Sequence, residues 1–184
     1  MLDKFIQIIE ENDIAPEDIE RIKAQPHPVA KFRFGRENKL LTPDDYSFNT
    51  RYLLACAAYR ISPAHWQDAE IRQDPRIQEF MQHPGINVVF DEEDYAQAKR
   101  EEPKAYLQRI EVVAKGKTFK AKSIHPKGGW WSKEFRNTDE ELISKFTDNT
   151  SRTLPMDKVK KATQDIMNLE KLSNVGVLME VTIP

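Results

Sequence analysis

The chain reads as an α+β fold: a small antiparallel sheet packed with helices. Helical and strand periodicities follow one another irregularly, without the steady alternation of a doubly wound sheet. The stretch "YLQRIEVVAKGKTFKAKSI" carries two alternating runs about Lys115-Gly116-Lys117, which predicts an antiparallel hairpin. The 184 residues hold no internal repeat and no low-complexity run, and suit one domain spanning 1–184.

Taken in order, Leu2, Phe5, Ile6 and Ile9 share a helical face, and Asn12-Asp13 ends that helix. "IAPEDIERIKAQPHP" predicts a turn and a short strand over 19–24, closed by Pro26 and Pro28. Residues 29–41 are polar and predict a loop. From Thr42 the spacing predicts one long helix. Thr42 caps it, Pro43 suits its first turn, and Asp44-Asp45 favour its positive end. Phe48, Tyr52, Ala55, Cys56 and Tyr59 form its inward stripe; Arg51 reads as a surface charge.

A helix from Asp74 buries Ile77, Phe80 and Met81. "INVVFDEE" predicts a buried strand, and a short charged helix follows, broken at Pro103. Thr138 and Glu141 form a capping box before a helix with Leu142, Ile143 and Phe146 inward. Pro155 opens a last helix with Val159, Ala162, Ile166 and Leu169 inward. "NVGVLMEVTIP" predicts a final strand or extended tail.

Composition excludes several function classes. Lys plus Arg is 28 against 30 Asp plus Glu, so there is no basic excess of the kind nucleic-acid binding needs. The clustered Lys115, Lys117, Lys120 and Lys122 read as one solvated side of the hairpin. No window approaches the ~20 apolar residues of a membrane span, and the N-terminus has neither secretory nor transit character. A single cysteine, Cys56, excludes an internal disulfide and fits a reducing, cytoplasmic setting. The four histidines show no metal-ligand spacing, so no metal site is expected.

No nucleophile elbow, phosphate loop or dinucleotide fingerprint is present. The candidate chemistry is a set of isolated polar groups. By spacing, Tyr52 is a core tyrosine; functionally, its phenol would donate to a carboxylate or move a proton. His125 and Lys127, in "SIHPKGGWWSKEFRN", read as a solvated hairpin exit or as cationic help for an anionic substrate. Trp130 and Trp131 do not both bury easily in one short loop, which makes them a candidate partner interface.

Several stretches, in order, resemble the C-terminal part of the MmgE/PrpD family, whose members include 2-methylcitrate dehydratases, cis-aconitate decarboxylases and iminodisuccinate epimerase. "FIQIIEENDIAPEDIERIKAQ" is similar to its helix-turn-strand stretch with the "PEDIE" step. "YSFNTRYLLACAAY" is similar to its "FSxxYxLA" helix, with Asn49 where serine is common. "DPRIQEFMQHPGINVVFDEE" resembles its short helix and strand. "IHPKGG" followed by "TDEELISKF" resembles "HPKGD…LSxEELxxKF", although "WWSKEFRN" replaces the usual "NP". The likeness runs from about Leu2 to about Leu172.

The family's usual protein joins a large helical domain to a smaller α+β lid, with the active site between them. The resemblance implies that this chain is the lid alone, with the N-terminal helical domain absent. "LDK" at 2–4 resembles the end of a "HPxIDA" motif, so the upstream lysine and histidine are expected to be missing. Tyr52 matches the family's active-site tyrosine; His125 and Lys127 match its "HPKG" turn. The implied activity is that of a lyase or isomerase, such as a dehydratase, acting on a small di- or tricarboxylate, and the resemblance implies no metal or organic cofactor. It would be inactive until completed by a helical-domain chain, with homo- or hetero-oligomers both open. Two other readings stay open: a non-catalytic interaction module that keeps the lid fold, and a fragment of a longer enzyme.

Overall fold

The central strand, β1 (Ile19–Gln25), organises the sheet. In the computed structural model, which describes residues 1–28, 30, 40, 42–129 and 133–183, its neighbours are β2 (Ile86–Val88) and β3 (Gln108–Ala114). β4 (Lys117–Ser123) pairs with β3, giving the order β2-β1-β3-β4. The β1–β3 and β3–β4 pairs are antiparallel, as the hairpin predicts. β2 joins β1 in parallel, so the α+β sheet is mixed. Among the described residues four α-helices lie between β1 and β2, and a parallel pair requires such a crossover. Lys115 (φ +52°) and Gly116 (φ +67°) close the hairpin in the left-handed region that a two-residue turn demands.

Register separates the two faces of the sheet. Ile86, Ile22, Val112 and Phe119 form one inward row; Val88, Ala24, Ile110 and Ala121 form the next. The opposite face carries Lys23, Glu111 and Lys120 in one row and Gln25, Arg109 and Lys122 in another. One face is therefore core and the other polar, the usual economy of an antiparallel sheet.

Helices cover the apolar face. α1 (Leu2–Glu11) buries Phe5, Ile8 and Ile9, with Leu2 and Ile6 packed at the core's edge. The helix predicted from Thr42 is two helices, α2 (Pro43–Ser47) and α3 (Thr50–Ala58). The break is local: the Asn49 side chain accepts from the Tyr52 amide at 2.9 Å and starts a second helix. It turns Phe48 away from the stripe assigned to it, leaving that ring 42% exposed. α3 is buried on most sides, as expected of a central helix, and packs on α1 and α5.

α4 (Ala69–Arg72) is one turn, and α5 (Pro75–Met81) buries Ile77, Phe80 and Met81 as predicted. β2 is much shorter than the run "INVVFDEE" predicts, because Asp91 caps α6 (Glu92–Glu101) through the Asp94 amide. Glu102, before Pro103, ends α6, since a residue preceding proline avoids the helical region.

Gly85 lies where backbones meet. Its carbonyl accepts from the Ile22 amide at 3.0 Å, and a Cβ there would stand 2.3 Å from the Glu20 carbonyl oxygen. Gly85→Ala is expected to lower stability by about 1–3 kcal/mol, the usual cost of overpacking, as a reduced urea midpoint at unchanged m-value.

The chain divides into two compact units, Met1–Phe135, described above, and Arg136–Pro184. The second holds α7 (Asp139–Thr150), α8 (Met156–Met167) and α9 (Gly176–Val181). The capping box of Thr138 and Glu141 forms as predicted. Val159 and Ala162 are buried, but Leu142, expected inward, is 47% exposed, and Ile166 and Leu169 are also exposed. A segment this small buries a lesser fraction of its apolar surface. The predicted final strand is instead the short helix α9. Asn174 accepts from the Gly176 amide at 2.8 Å, which starts a turn that Leu178, Met179 and Glu180 favour.

Candidate functional site

Tyr52 sits in the first turn of α3 and is fully buried. Its hydroxyl donates to the Trp66 backbone carbonyl, and the Trp66 indole donates to the Ile61 carbonyl at 2.8 Å. These bonds tie the turn after α3 back onto the helix. Burial pushes the phenol well above its ordinary value, and pushes the neighbouring Cys56 thiol up to about 11. A thiol so placed stays protonated near neutrality and is no nucleophile.

The Tyr46 ring meets Tyr52 edge-on, with centroids 4.9 Å apart, and also lines a surface groove of about 780 Å³ with Leu40, Asn49, Arg51, Gln78 and Phe90. Tyr52 thus lies one ring behind this groove. Arg51 is not the surface charge the spacing suggests. Its guanidinium donates to the carbonyls of Met81 at 2.8 Å and Ile86 at 2.6 Å, joining α5 to β2.

The HPKG turn leaves the other edge of the sheet. The Ser123 hydroxyl donates to the His125 carbonyl at 2.5 Å, and the Gly128 amide donates to the Phe135 carbonyl at 2.5 Å. Gly128 has φ +82°, a conformation open to glycine, which accounts for the residue at that point of the motif. His125 is largely enclosed, its Nε2 meets the Glu102 carboxylate at 2.5 Å, and its ring packs on Phe135. Lys127 is exposed. Tyr52 thus contacts Trp66 and Tyr46, whereas His125 contacts Glu102 and Phe135. Trp130 and Trp131, the expected partner interface, lie outside the described residues.

Beside His125 the structure adds groups that sequence reasoning passed over. A cleft of about 300 Å³ is lined by Asp94, Glu102, Leu107, Arg109, Lys122 and Ile124. Asp94 accepts a two-pronged contact from Arg109, 2.8 Å to each oxygen, and a third bond from Gln25 at 2.8 Å. Arg109 and then Gln25 hold its carboxyl below the usual range. His27 Nε2 meets the Tyr95 hydroxyl at 2.7 Å, and its ring stacks on Tyr106 at 3.6 Å and 11°. The sequence signal was "QPHP", read only for its prolines.

Burial, then the nearby Lys99 charge, lowers the His27 pKa below its ordinary 6.5. The unfolded chain therefore binds the extra proton first as pH falls, and stability is expected to drop from about pH 6.5 downward. His27→Gln should flatten that part of the stability profile in urea melts at pH 5–8.

Chemically, these elements offer a histidine bonded to a carboxylate, exposed lysines and a fixed guanidinium, groups suited to anions and proton transfer. No group of three or more metal-ligating side chains occurs among the described residues. No helix there is long and apolar enough to cross a membrane.

A comparison with curated proteins gives no match. A comparison with protein families matches the model of the MmgE/PrpD C-terminal domain over residues 1–171, in accord with the order of the "PEDIE", "FNTRY" and "HPKG" segments and the fold they build. The chain belongs to the MmgE/PrpD family, as its C-terminal domain.

Proposed function

We propose that residues 1–184 act as one functional unit, the lid of an MmgE/PrpD-type lyase or isomerase, and that a separate chain with the helical N-terminal domain completes the enzyme. The observation that carries this is the match of residues 1–171 to a C-terminal domain, which implies an N-terminal partner domain. The substrate would be a small di- or tricarboxylate. A base from the partner would remove a proton next to a carboxylate, and water loss, decarboxylation or epimerisation would follow. That step needs donors and cations around the developing enolate charge.

In this reading the exposed Lys127 and the Glu102-bonded His125 would meet substrate carboxylates, and Tyr52 would supply a phenolic donor from α3. Trp130 and Trp131 would pack on the partner. A second reading, a non-catalytic module that keeps the lid fold, is favoured by one observation: the Tyr52 hydroxyl already donates to Trp66 inside the core.

The experiment is affinity capture with the tagged chain and with its Trp130→Ala/Trp131→Ala variant. Stoichiometric recovery of a chain carrying the helical N-terminal domain, lost in the double variant, is the expected result. Failure to bind such a chain ends the lid-subunit reading.

A further inference from the structure

We propose that the polar face of the sheet binds a small molecule carrying two or more oxyanion groups, carboxylate or phosphate. The inference does not rest on the lid reading.

Register sets the arrangement. Lys23, Glu111 and Lys120 stand side by side across three strands, and Gln25, Arg109 and Lys122 form the next row. Arg109 stands directly opposite Lys122. Cross-strand neighbours are about 4.5–5.5 Å apart at Cβ, and like charges so placed repel. In the groove on this face four cations, Lys23, Arg109, Lys120 and Lys122, meet two acids, Glu111 and the Asp94 that holds Arg109, which leaves two positive charges in excess there; Glu101 and Glu102 line the neighbouring cleft. The whole chain is −2, so this face runs against the overall sign.

The two acids position the cations without neutralising the face. Glu111 meets Lys120 at 2.9 Å and Arg21 at 3.1 Å, and Asp94 grips Arg109. Lys23 and Lys122 stand beside these pairs, within reach of the same groove.

Shape narrows the occupant. α6 reaches over the end of the face, where Asp94 meets Gln25 and Arg109. A groove of about 370 Å³ lies on the two rows themselves, lined by Lys23, Gln25, Arg109, Glu111, Lys120 and Lys122. That volume falls at the low end of small-ligand sites, roughly 300–1,000 Å³. A nucleic acid fits the face poorly. Its rows present no aromatic side chain for base stacking, and Phe119 lies on the opposite, apolar face. A small ligand with several anionic groups satisfies Lys23, Arg109 and Lys122 together and relieves the Arg109–Lys122 opposition.

The test follows backbone amide shifts of the full chain by NMR during titration with pyrophosphate, citrate, acetate, a single-stranded oligonucleotide, and sodium chloride at matched ionic strength. Pyrophosphate, citrate or both should move amides in 21–25, 108–113 and 118–123 saturably; which of the two does so identifies phosphate or carboxylate as the source. Acetate and chloride should not. Lys23→Gln/Lys122→Gln keeps the Glu111 and Asp94 ion pairs and should fold with unchanged dispersion while losing at least tenfold in affinity. The proposal is overturned if neither multivalent anion produces localised saturable shifts, if chloride reproduces them, if the double variant binds equally well, or if only the oligonucleotide binds.

Discussion

Tyr52→Ala lowers stability by about 3–5 kcal/mol, the range for truncating a large buried aromatic. Two losses coincide: the ring is fully enclosed among α3, Tyr46 and the 59–66 turn, and its hydroxyl holds the Trp66 carbonyl. Tyr52→Phe separates them. It keeps the ring and leaves the carbonyl short of a donor, for about 1–2 kcal/mol. Urea melts of both variants check the sizes and their order. The same pair bears on catalysis. In an enzyme completed by a partner, a Tyr52 that touches substrate loses kcat in Tyr52→Phe far beyond what lower stability explains, while a core tyrosine leaves kcat unchanged in the folded fraction.

The second large effect concerns Arg51. Its guanidinium donates to carbonyls on separate segments, most closely at the end of α5 and at β2, with a longer bond to His83 between them. Arg51→Met keeps the aliphatic stem and removes those donors. Hydrogen bonds to charged groups contribute about 1.5–3 kcal/mol each. The side chain is partly buried and water replaces part of the loss, so about 2–3 kcal/mol is expected. Hydrogen exchange should locate the change: Ile86–Val88 amides lose protection before those of the β3–β4 hairpin. Arg51 also lines the groove in front of Tyr46 and Tyr52, so the substitution loosens the wall nearest the candidate tyrosine.

The elements legible in the sequence are those whose causes are local. Lys115-Gly116 sets a turn by its own backbone preferences, Thr138 and Glu141 cap each other, and Asp74-Pro75 starts α5 without help from elsewhere. What escaped depended on distant partners or on competition between local signals. Asn49 outcompetes the continuous apolar stripe and splits one helix into two. β2 pairs in parallel because of where the intervening helices return the chain, which spacing does not encode. Leu142 lacks the neighbours its periodicity anticipates.

The sites follow the same division. The Gly128 turn is a local necessity visible in "HPKGG". The His125–Glu102 contact spans 23 residues and the His27–Tyr95 contact 68, so neither pairing was available to motif reading. Arg51 shows the opposite error: a charge on an apolar helix reads as solvent-facing until the carbonyls of another segment come to it.

Whether the chain completes an enzyme is decided by one assay: the purified chain alone, the helical-domain partner alone, and the two mixed, each offered methylcitrate, cis-aconitate and related di- and tricarboxylates. The lid reading predicts no turnover by either chain and turnover by the mixture that saturates at equimolar ratio. A stoichiometric complex that stays inactive on every such acid, or a partner fully active without this chain, contradicts it.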